Sequence, residues 1–258
     1  MPQVSSLWPD DCRGAVSLTF DDGMKSQLDR AAPMLNDFGL SGTFYLNPRG
    51  CEERGGETLS WRELLAPWKK VAAIGHEIGN HTVNHPCSWA FRDNRNSGLE
   101  RMTIDEIEAE ITEGKRRIEV AMPDQGANSF CYPCYHSHIG EGPTRQSYVP
   151  AVARHHPAGR AKGDYANHPE TVDLHYLFSR PVERHDSGEM IGFIEQAMAA
   201  GKWAILTMHG IHEGHLAVSD VALKDLCCHL ARNSDRILVG TVVSVAQRIR
   251  DWRKERYD

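Results

Sequence analysis

The sequence AVSLTFDDG occupies residues 15–23 of the chain. Its first six residues favour a short buried strand, and two acids and a glycine follow at once. Adjacent carboxylates repel each other, and removing either from water is costly. In α/β proteins, active sites are built at the carboxyl ends of strands. The stretch therefore predicts a strand that ends in a binding site, where a cation would relieve the repulsion between Asp21 and Asp22. A solvated turn is the alternative.

Strands and helices alternate along the rest of the chain. Further strands are predicted at 42–46, 77–80, 129–132, 176–179, 203–208 and 237–239, and helices at 26–38, 61–74, 104–121, 187–200, 219–232 and from a capping box at Ser244 and Gln247 onward. Such alternation predicts parallel strands with crossover helices. We expect an α/β barrel of seven or eight units that occupies residues 1–258 as one domain, with its core at about 15–245. A doubly wound open sheet is the alternative.

The composition excludes several classes of protein. The 258 residues are 40% hydrophobic with a net charge of −6, so nucleic acid is not an expected partner, since a surface that follows phosphates needs clustered positive charge. No run approaches the roughly 18 apolar residues of a membrane span, so no membrane partner is expected. The first residues lack a secretion signal, which favours a cytoplasmic location. Seven cysteines, an odd number in a long chain, argue against a small disulfide-stapled domain.

Three histidines follow predicted strands. His81 and His85 are four residues apart, so on one helical turn they share a face and can bind one ion. Pro86 limits that turn to a single one. His209 follows the most apolar strand, and the ordinary pKa of a histidine lies near neutrality, as a general acid requires. Each of the three could instead be a solvated or packed histidine. Together with residues 21–22 they supply three ligands and leave one coordination position open, as in a hydrolytic metal site.

With these motifs, the sequence resembles the polysaccharide deacetylases, the NodB-homology family or carbohydrate esterase family four. The resemblance rests on TFDDG (19–23) as the first family motif, HTVNH (81–85) as the second, FCYPC (130–134) as a degraded third and WAILTMH (203–209) as the fifth, with GTFYL (42–46) and GHEIGNH (75–81) around them. It extends over about residues 15–245. It implies a single distorted (β/α) barrel of about seven parallel strands.

The resemblance also implies the roles of the site residues. By role these are Asp22, His81 and His85 as ligands of a divalent metal, most often Zn²⁺; Asp21 as the general base and His209 as the general acid; and the backbone N–H of Cys134 as the oxyanion donor. Apart from the resemblance, Tyr132, Tyr135 and His212 are candidate substrate contacts, although a solvated loop histidine is the preferred interpretation of His212. The substrate would be an acetylated carbohydrate.

Two positions depart from the family pattern. Cys131 stands where the third motif normally begins with an arginine that steadies the base, and a neutral thiol cannot form a bidentate pair with a carboxylate. Either another group holds Asp21 or activity is reduced. Thr207 stands where a leucine usually lines the pocket for the acetyl methyl group, and no clear fourth motif is present. The spacing of Cys131 and Cys134 is also that of a redox motif, although two unpaired or packed thiols in a site loop are the preferred interpretation.

The sequence thus predicts a metal-dependent hydrolase that removes acetyl groups from an N-acetyl sugar or an O-acetylated polysaccharide. One alternative is a cytosolic amidohydrolase of a small cyclic amide, similar to allantoinase, although the metal motif is intact. Another is a non-haem iron oxygenase, since two histidines and a carboxylate also form its facial triad. The third is a non-catalytic sugar-binding module, against which the complete set of polar residues speaks. The sugar, its linkage, the native metal and the oligomeric state stay open.

Overall fold

The computed structural model describes residues 6–9, 11–54, 57–91 and 98–257. Its strands are β1 (Gly14–Asp21), β2 (Gly42–Leu46), β3 (Cys51–Arg54), β4 (Glu57–Ser60), β5 (Glu77–Asn80), β6 (Phe130–Cys131), β7 (His138–Ile139), β8 (Gln146–Ser147), β9 (Gly159–Arg160), β10 (Arg180–Pro181), β11 (Trp203–Met208) and β12 (Ile237–Val239). Its α-helices are α1 (Ala32–Asp37), α2 (Trp61–Leu65), α3 (Trp68–Ala73), α4 (Ile104–Ala121), α5 (Val149–His155), α6 (Ser187–Ala199), α7 (Asp220–Arg232) and α8 (Val242–Tyr257).

The central sheet is parallel throughout and curls into a barrel. Its strand order is β10-β11-β1-β2-β5-β6-β9, and β12 pairs with the beginning of β1. The two ends of this sheet meet, because Arg160 of β9 forms a parallel bridge with Leu177, just before β10. The N–H of Ala161 donates to the carbonyl of Leu177 at 2.8 Å, and that of Gly163 to the carbonyl of Ser179 at 3.0 Å. The predicted distorted barrel of about seven parallel strands is therefore confirmed, and the open sheet does not describe the fold.

Strand β1 lies between β11 and β2 in the sheet and is buried along its whole length. Its apolar residues Val16, Leu18 and Phe20 belong to the main hydrophobic core with residues of α1 and α6. The alternate residues, Ser17, Thr19 and Asp21, are equally buried but polar, because successive side chains of a strand point to opposite faces. On β1, therefore, the outer face against the helices is apolar, and the inner face is polar from Ser17 to Asp21, where it reaches the site.

The helix expected at 26–38 is a π-helical turn, Gln27–Ala31, followed by the short helix α1. Two other helix predictions also need correction. The helix expected at 61–74 is two helices, α2 and α3, because Pro67 interrupts it: a proline lacks the N–H that would continue the ladder. Ser60 caps α2 in the expected position, with its hydroxyl accepting from the N–H of Glu63. The capping box expected at Ser244 and Gln247 is wrong, since α8 has already begun at Val242.

Two further boundaries were misplaced by a few residues. Asp186, not Ser187, caps α6, and its carboxylate accepts from the N–H of Glu189. The strand expected at 176–179 is β10, slightly further along, with Leu177 contributing only an isolated bridge. Among the described residues, no helix is both long and apolar enough to cross a membrane.

Candidate active site

The carboxyl end of β1 carries two adjacent aspartates in different environments. Asp21 points into the barrel and is 2% exposed, whereas the side chain of Asp22 is 40% exposed. The backbone turns between them, because Asp22 has φ of 73° and Gly23 has φ of 60°. This left-handed region is open to glycine and is more accessible to aspartate than to most residues. The turn thus separates an interior carboxylate from one at the mouth of the barrel.

Asp22 meets both predicted metal-ligating histidines at this mouth. Its Oδ1 lies 3.6 Å from Nε2 of His81 and 3.5 Å from Nε2 of His85. The two ring nitrogens are 3.1 Å apart. His81 follows β5, which lies two strands from β1 in the sheet, so the parallel order of the barrel brings the carboxyl ends of both strands to one mouth. The three residues that the sequence proposed as one ligand set are therefore neighbours.

Both histidines present a nitrogen that can bind a cation. Nδ1 of His81 lies 2.9 Å from the carbonyl of Cys131 and donates to it, which leaves the lone pair on Nε2 facing His85 and Asp22. Burial lowers the pKa of both histidines to about 4, so both are neutral near pH 7. Two neutral imidazoles and a carboxylate are the donor set of a catalytic zinc site with an open position, and these side chains fit a divalent metal.

The loop that carries the two histidines is not the helical turn that the sequence predicted. Thr82 has φ of 63° and His85 has φ of 52°, so left-handed residues bring the two rings together instead. The N–H of Thr82 donates to Oδ1 of Asn80, and the N–H of His85 to Oγ1 of Thr82, both at 3.0 Å. Pro86 is consistent with this path, because a following proline disfavours right-handed helical backbone at residue 85.

Asp21 is held by Arg160, the second residue of β9, which no sequence motif indicated. Nη2 of Arg160 lies 2.7 Å from Oδ1 and 2.5 Å from Oδ2 of Asp21, and both side chains are buried. Burial raises the pKa of Asp21, but Arg160, supported by His81 and His209, outweighs burial and brings that pKa below its ordinary value. Asp21 is therefore ionised near neutral pH, as a general base must be.

His209 lies at the end of β11, the strand that pairs with β1 along six residues. Its Nε2 is 3.9 Å from Oδ2 of Asp22. Gln27, in the π-helical turn Gln27–Ala31, connects the two strand ends: its side-chain amide donates to the carbonyl of Asp21 at 2.5 Å and to that of His209 at 3.1 Å. Sequence reasoning missed this glutamine, because a single glutamine in a helix carries no signal of a contact 182 residues away.

Cys134 forms a disulfide with Cys87, so the interpretation of residues 131 and 134 as two unpaired thiols is wrong for one of them. The Cα atoms of Cys87 and Cys134 are 5.7 Å apart. Cys131 is a free and fully buried thiol, and burial raises its pKa well above the ordinary value. Cys134 has φ of 50° and Tyr135 has φ of 60°, so the loop of the expected oxyanion donor is also in the left-handed region.

The three expected substrate contacts differ in their surroundings. Tyr132 is fully buried and its hydroxyl donates to the carbonyl of His175 at 2.6 Å, so this residue supports the wall of the site and has no surface for a substrate. The ring of Tyr135 lies 5.7 Å from the guanidinium carbon of Arg160, beside the site. His212 is exposed, with Nε2 2.8 Å from a carboxylate oxygen of Asp220.

Comparison with known proteins identifies the family of this chain. The polysaccharide deacetylase family model matches residues 9–137, which are half of the chain. The chain therefore belongs to the polysaccharide deacetylase family, whose enzymes hydrolyse amide and ester bonds in acetylated carbohydrates. It is 29% identical over 113 residues to a chitin deacetylase of Arthroderma benhamiae, which covers 43% of this chain, and 32% identical over 80 residues to a gellan lyase of a Bacillus species, which covers 31%. The chain spans 28% and 3% of the lengths of these two relatives.

Solved structures show the same fold at low sequence identity. A candidate polysaccharide deacetylase from Mycobacterium smegmatis has a TM-score of 0.64 and 15% identity, over 97% of this chain and 95% of that one. A family-four pseudoenzyme from Bacillus anthracis, BA3943, has a TM-score of 0.50 and 15% identity, over 90% of this chain and 65% of that one. Since a pseudoenzyme shares the fold, activity has to be argued from the site residues.

Proposed function

We propose that this protein is a metal-dependent deacetylase of acetylated carbohydrates. The observation that supports this most strongly is the meeting of Asp22, His81 and His85 at one mouth of the barrel, beside the ionised carboxylate of Asp21 and the ring of His209. Sequence positions up to 188 residues apart supply these side chains. The chitin deacetylase relative points to the same class of substrate, an acetylated polymer of sugars.

In this proposal Asp22, His81 and His85 hold a divalent metal. Such an ion, when bound, supplies Lewis acidity that polarises an acyl carbonyl and lowers the pKa of water. Zn²⁺ is the expected metal, because two neutral imidazoles and one carboxylate are ligands that zinc accepts in catalytic sites. Nδ1 of His81 is fixed on the carbonyl of Cys131, which sets the direction of the opposite nitrogen.

Two side chains of the proposed site move protons. Asp21 accepts a proton from the attacking water, and it stays ionised because Arg160 holds it. His209, on the neighbouring strand end, donates a proton to the leaving amine or alcohol, which would otherwise leave as an anion. The N–H of Cys134 stabilises the charge that develops on the acyl oxygen. A backbone donor does not depend on the side chain, so a cysteine is compatible with this role.

None of the three alternatives gains support from a specific observation. The position of residues 21–22 beside His81 and His85 supports the deacetylase proposal, and no finding favours a cyclic amide substrate, an iron oxygenase or a binding module. The cytoplasmic location stays a prediction. The disulfide between Cys87 and Cys134 argues against that prediction, because such cross-links persist mainly in oxidising compartments.

The direct test is acetate release from a panel of N-acetylated and O-acetylated oligosaccharides. A cyclic amide is assayed beside them. We expect acetate from at least one glycan, loss of that activity in chelator, and recovery when Zn²⁺ is added back. Turnover of the cyclic amide alone would contradict the proposal, as would acetate release that a chelator leaves unchanged.

A further inference from the structure

We propose that Arg160 is the positioning residue for Asp21, and that it takes, from the neighbouring strand β9, the role that the family pattern gives to an arginine at position 131. The inference rests on the proposed function, since it concerns the base of that reaction. It also explains the two departures from the family pattern, Cys131 and Thr207, by one cause: both side chains contact the guanidinium of Arg160.

The register of the sheet explains why an arginine can reach Asp21 from either strand. Strands β6 and β9 are parallel neighbours, and Cys131 is the Cα partner of Arg160. A side chain from either position therefore starts at the same height in the barrel and on the same face. From β9 the guanidinium reaches across the polar interior to Asp21 on β1. An arginine at position 160 can thus occupy the space that an arginine at position 131 would fill.

Both terminal nitrogens of the guanidinium donate hydrogen bonds. Nη2 contacts both carboxylate oxygens of Asp21. Nη1 donates to Oγ of Ser179 at 3.0 Å and to Oγ1 of Thr207 at 2.5 Å. Above these contacts, the guanidinium carbon lies 5.0 Å from the ring of Tyr45, a distance at which a cation is attracted to an aromatic face. Arg160 is fully buried, so its position and that of the carboxylate are both fixed.

Cys131 fits beside this guanidinium where an arginine would not. Its Sγ contacts Nη2 of Arg160 and lies 3.7 Å from Oδ2 of Asp21. A second arginine at position 131 would place two like charges in a buried space that holds one carboxylate, which is strongly unfavourable. The small neutral thiol is therefore the counterpart of the arginine at position 160.

Thr207 is the second counterpart. Its hydroxyl accepts from Arg160 and donates to Oγ of Ser179 at 2.8 Å. A leucine at this position offers no acceptor, and it would leave Nη1 with one partner fewer inside the barrel. The hydroxyl thus belongs to the support of the base, and Thr207 need not be explained by the acyl group of the substrate.

The test is a swap of the arginine between the two strands. The variants are Arg160→Ser, Cys131→Arg, and the double variant that carries both changes. The matched control is Arg236→Gln, which removes a paired arginine from Glu195 far from the site. We expect Arg160→Ser to lower kcat about a hundredfold with KM changed less than about threefold. Zn²⁺ affinity should stay within a few-fold in every variant, because no proposed ligand is altered. The double variant should recover at least about tenfold in kcat over Arg160→Ser.

Thermal unfolding gives a second readout that needs no activity. Each single variant leaves a buried charge unpaired or doubled, so both should lower Tm, and the double variant should recover most of the loss. Losses of Tm that simply add in the double variant would overturn the inference, even if no glycan were ever deacetylated. Recovery of Tm without recovery of kcat would also overturn it, since Arg160 would then be structural only. A wild-type protein that deacetylates nothing would reject the proposed function instead, and the unfolding cycle would still decide this inference.

Discussion

Among single residues, the adjacent aspartates 21 and 22 have different environments and different proposed roles. Asp21 is buried against a fixed arginine, whereas Asp22 stands at the mouth with two histidines. The sequence could predict the second group, because Asp22 and His81 directly follow strands, His85 is only four residues beyond His81, and the ends of parallel strands meet at one mouth. It could not predict Arg160 or Gln27, because their contacts cross the barrel and depend on which strands become neighbours.

The variant Asp21→Asn separates the two roles. We expect kcat to fall about a hundredfold or more, because an amide cannot accept the proton, while Zn²⁺ still binds. The measurements are steady-state kinetics and a zinc competition titration. Asp37→Asn, at an exposed aspartate, is the control and should behave as wild type. Unchanged turnover in Asp21→Asn would show that Asp21 is not the base.

At the scale of elements, the site is held by connections between loops rather than by the strands alone. The disulfide joins Cys87, two residues after a proposed metal ligand, to Cys134, the proposed oxyanion donor. Sequence spacing could not pair these cysteines, since positions 131 and 134 equally suited a local motif. A helix boundary was predicted correctly where a local cap such as Ser60 marks it. The apolar pattern over 61–74 did not indicate the break at Pro67, which divides that helix into two.

Replacement of both cysteines by serine should destabilise the protein and loosen the site. The cross-link spans 47 residues, and loop entropy alone predicts a loss of about 4 kcal/mol in unfolding free energy. We also expect a lower kcat in folded protein, because the two loops with left-handed backbone are no longer tied together. Urea unfolding and kinetics measure the two effects. Cys228→Ser, at a free cysteine in α7, is the control, and equal stability of the double variant and this control would contradict the prediction.

At the scale of the whole molecule, the barrel encloses polar groups that titrate. Burial lowers the pKa of four histidines to about 4, namely His76, His81, His85 and His156. The ordinary pKa of a histidine in an unfolded chain is about 6.5. Between these two values the unfolded chain binds more protons than the folded protein does, so the free energy of unfolding rises with pH in this window.

We therefore expect the metal-free protein to lose stability steadily as the pH falls from about 6.5 to about 4, with proton-linked release of any bound Zn²⁺ over the same range. Urea midpoints at pH 7, 6 and 5 measure this directly. His156→Gln removes one buried histidine outside the ligand set and should flatten the slope. A midpoint that does not change between pH 7 and pH 5 would contradict the burial of these rings as neutral groups.

The barrel as a whole was predictable because strands and helices alternate, but its closure was not. The two sheet ends meet through one bridge and a few hydrogen bonds between residues 159–163 and 174–179. The sequence predicts a strand at 176–179 but none at 159–163. Arg160 lies on this closing strand. The way in which the barrel closes therefore decides which side chain reaches the base.

The proposed function requires one divalent metal between residues supplied by two strand ends. Anomalous diffraction at the zinc edge, from crystals of protein loaded with one equivalent of Zn²⁺, measures this most directly. We expect a single strong peak within bonding distance of Oδ1 of Asp22 and of Nε2 of His81 and His85. A peak elsewhere, or no ordered zinc at these three atoms, would contradict it.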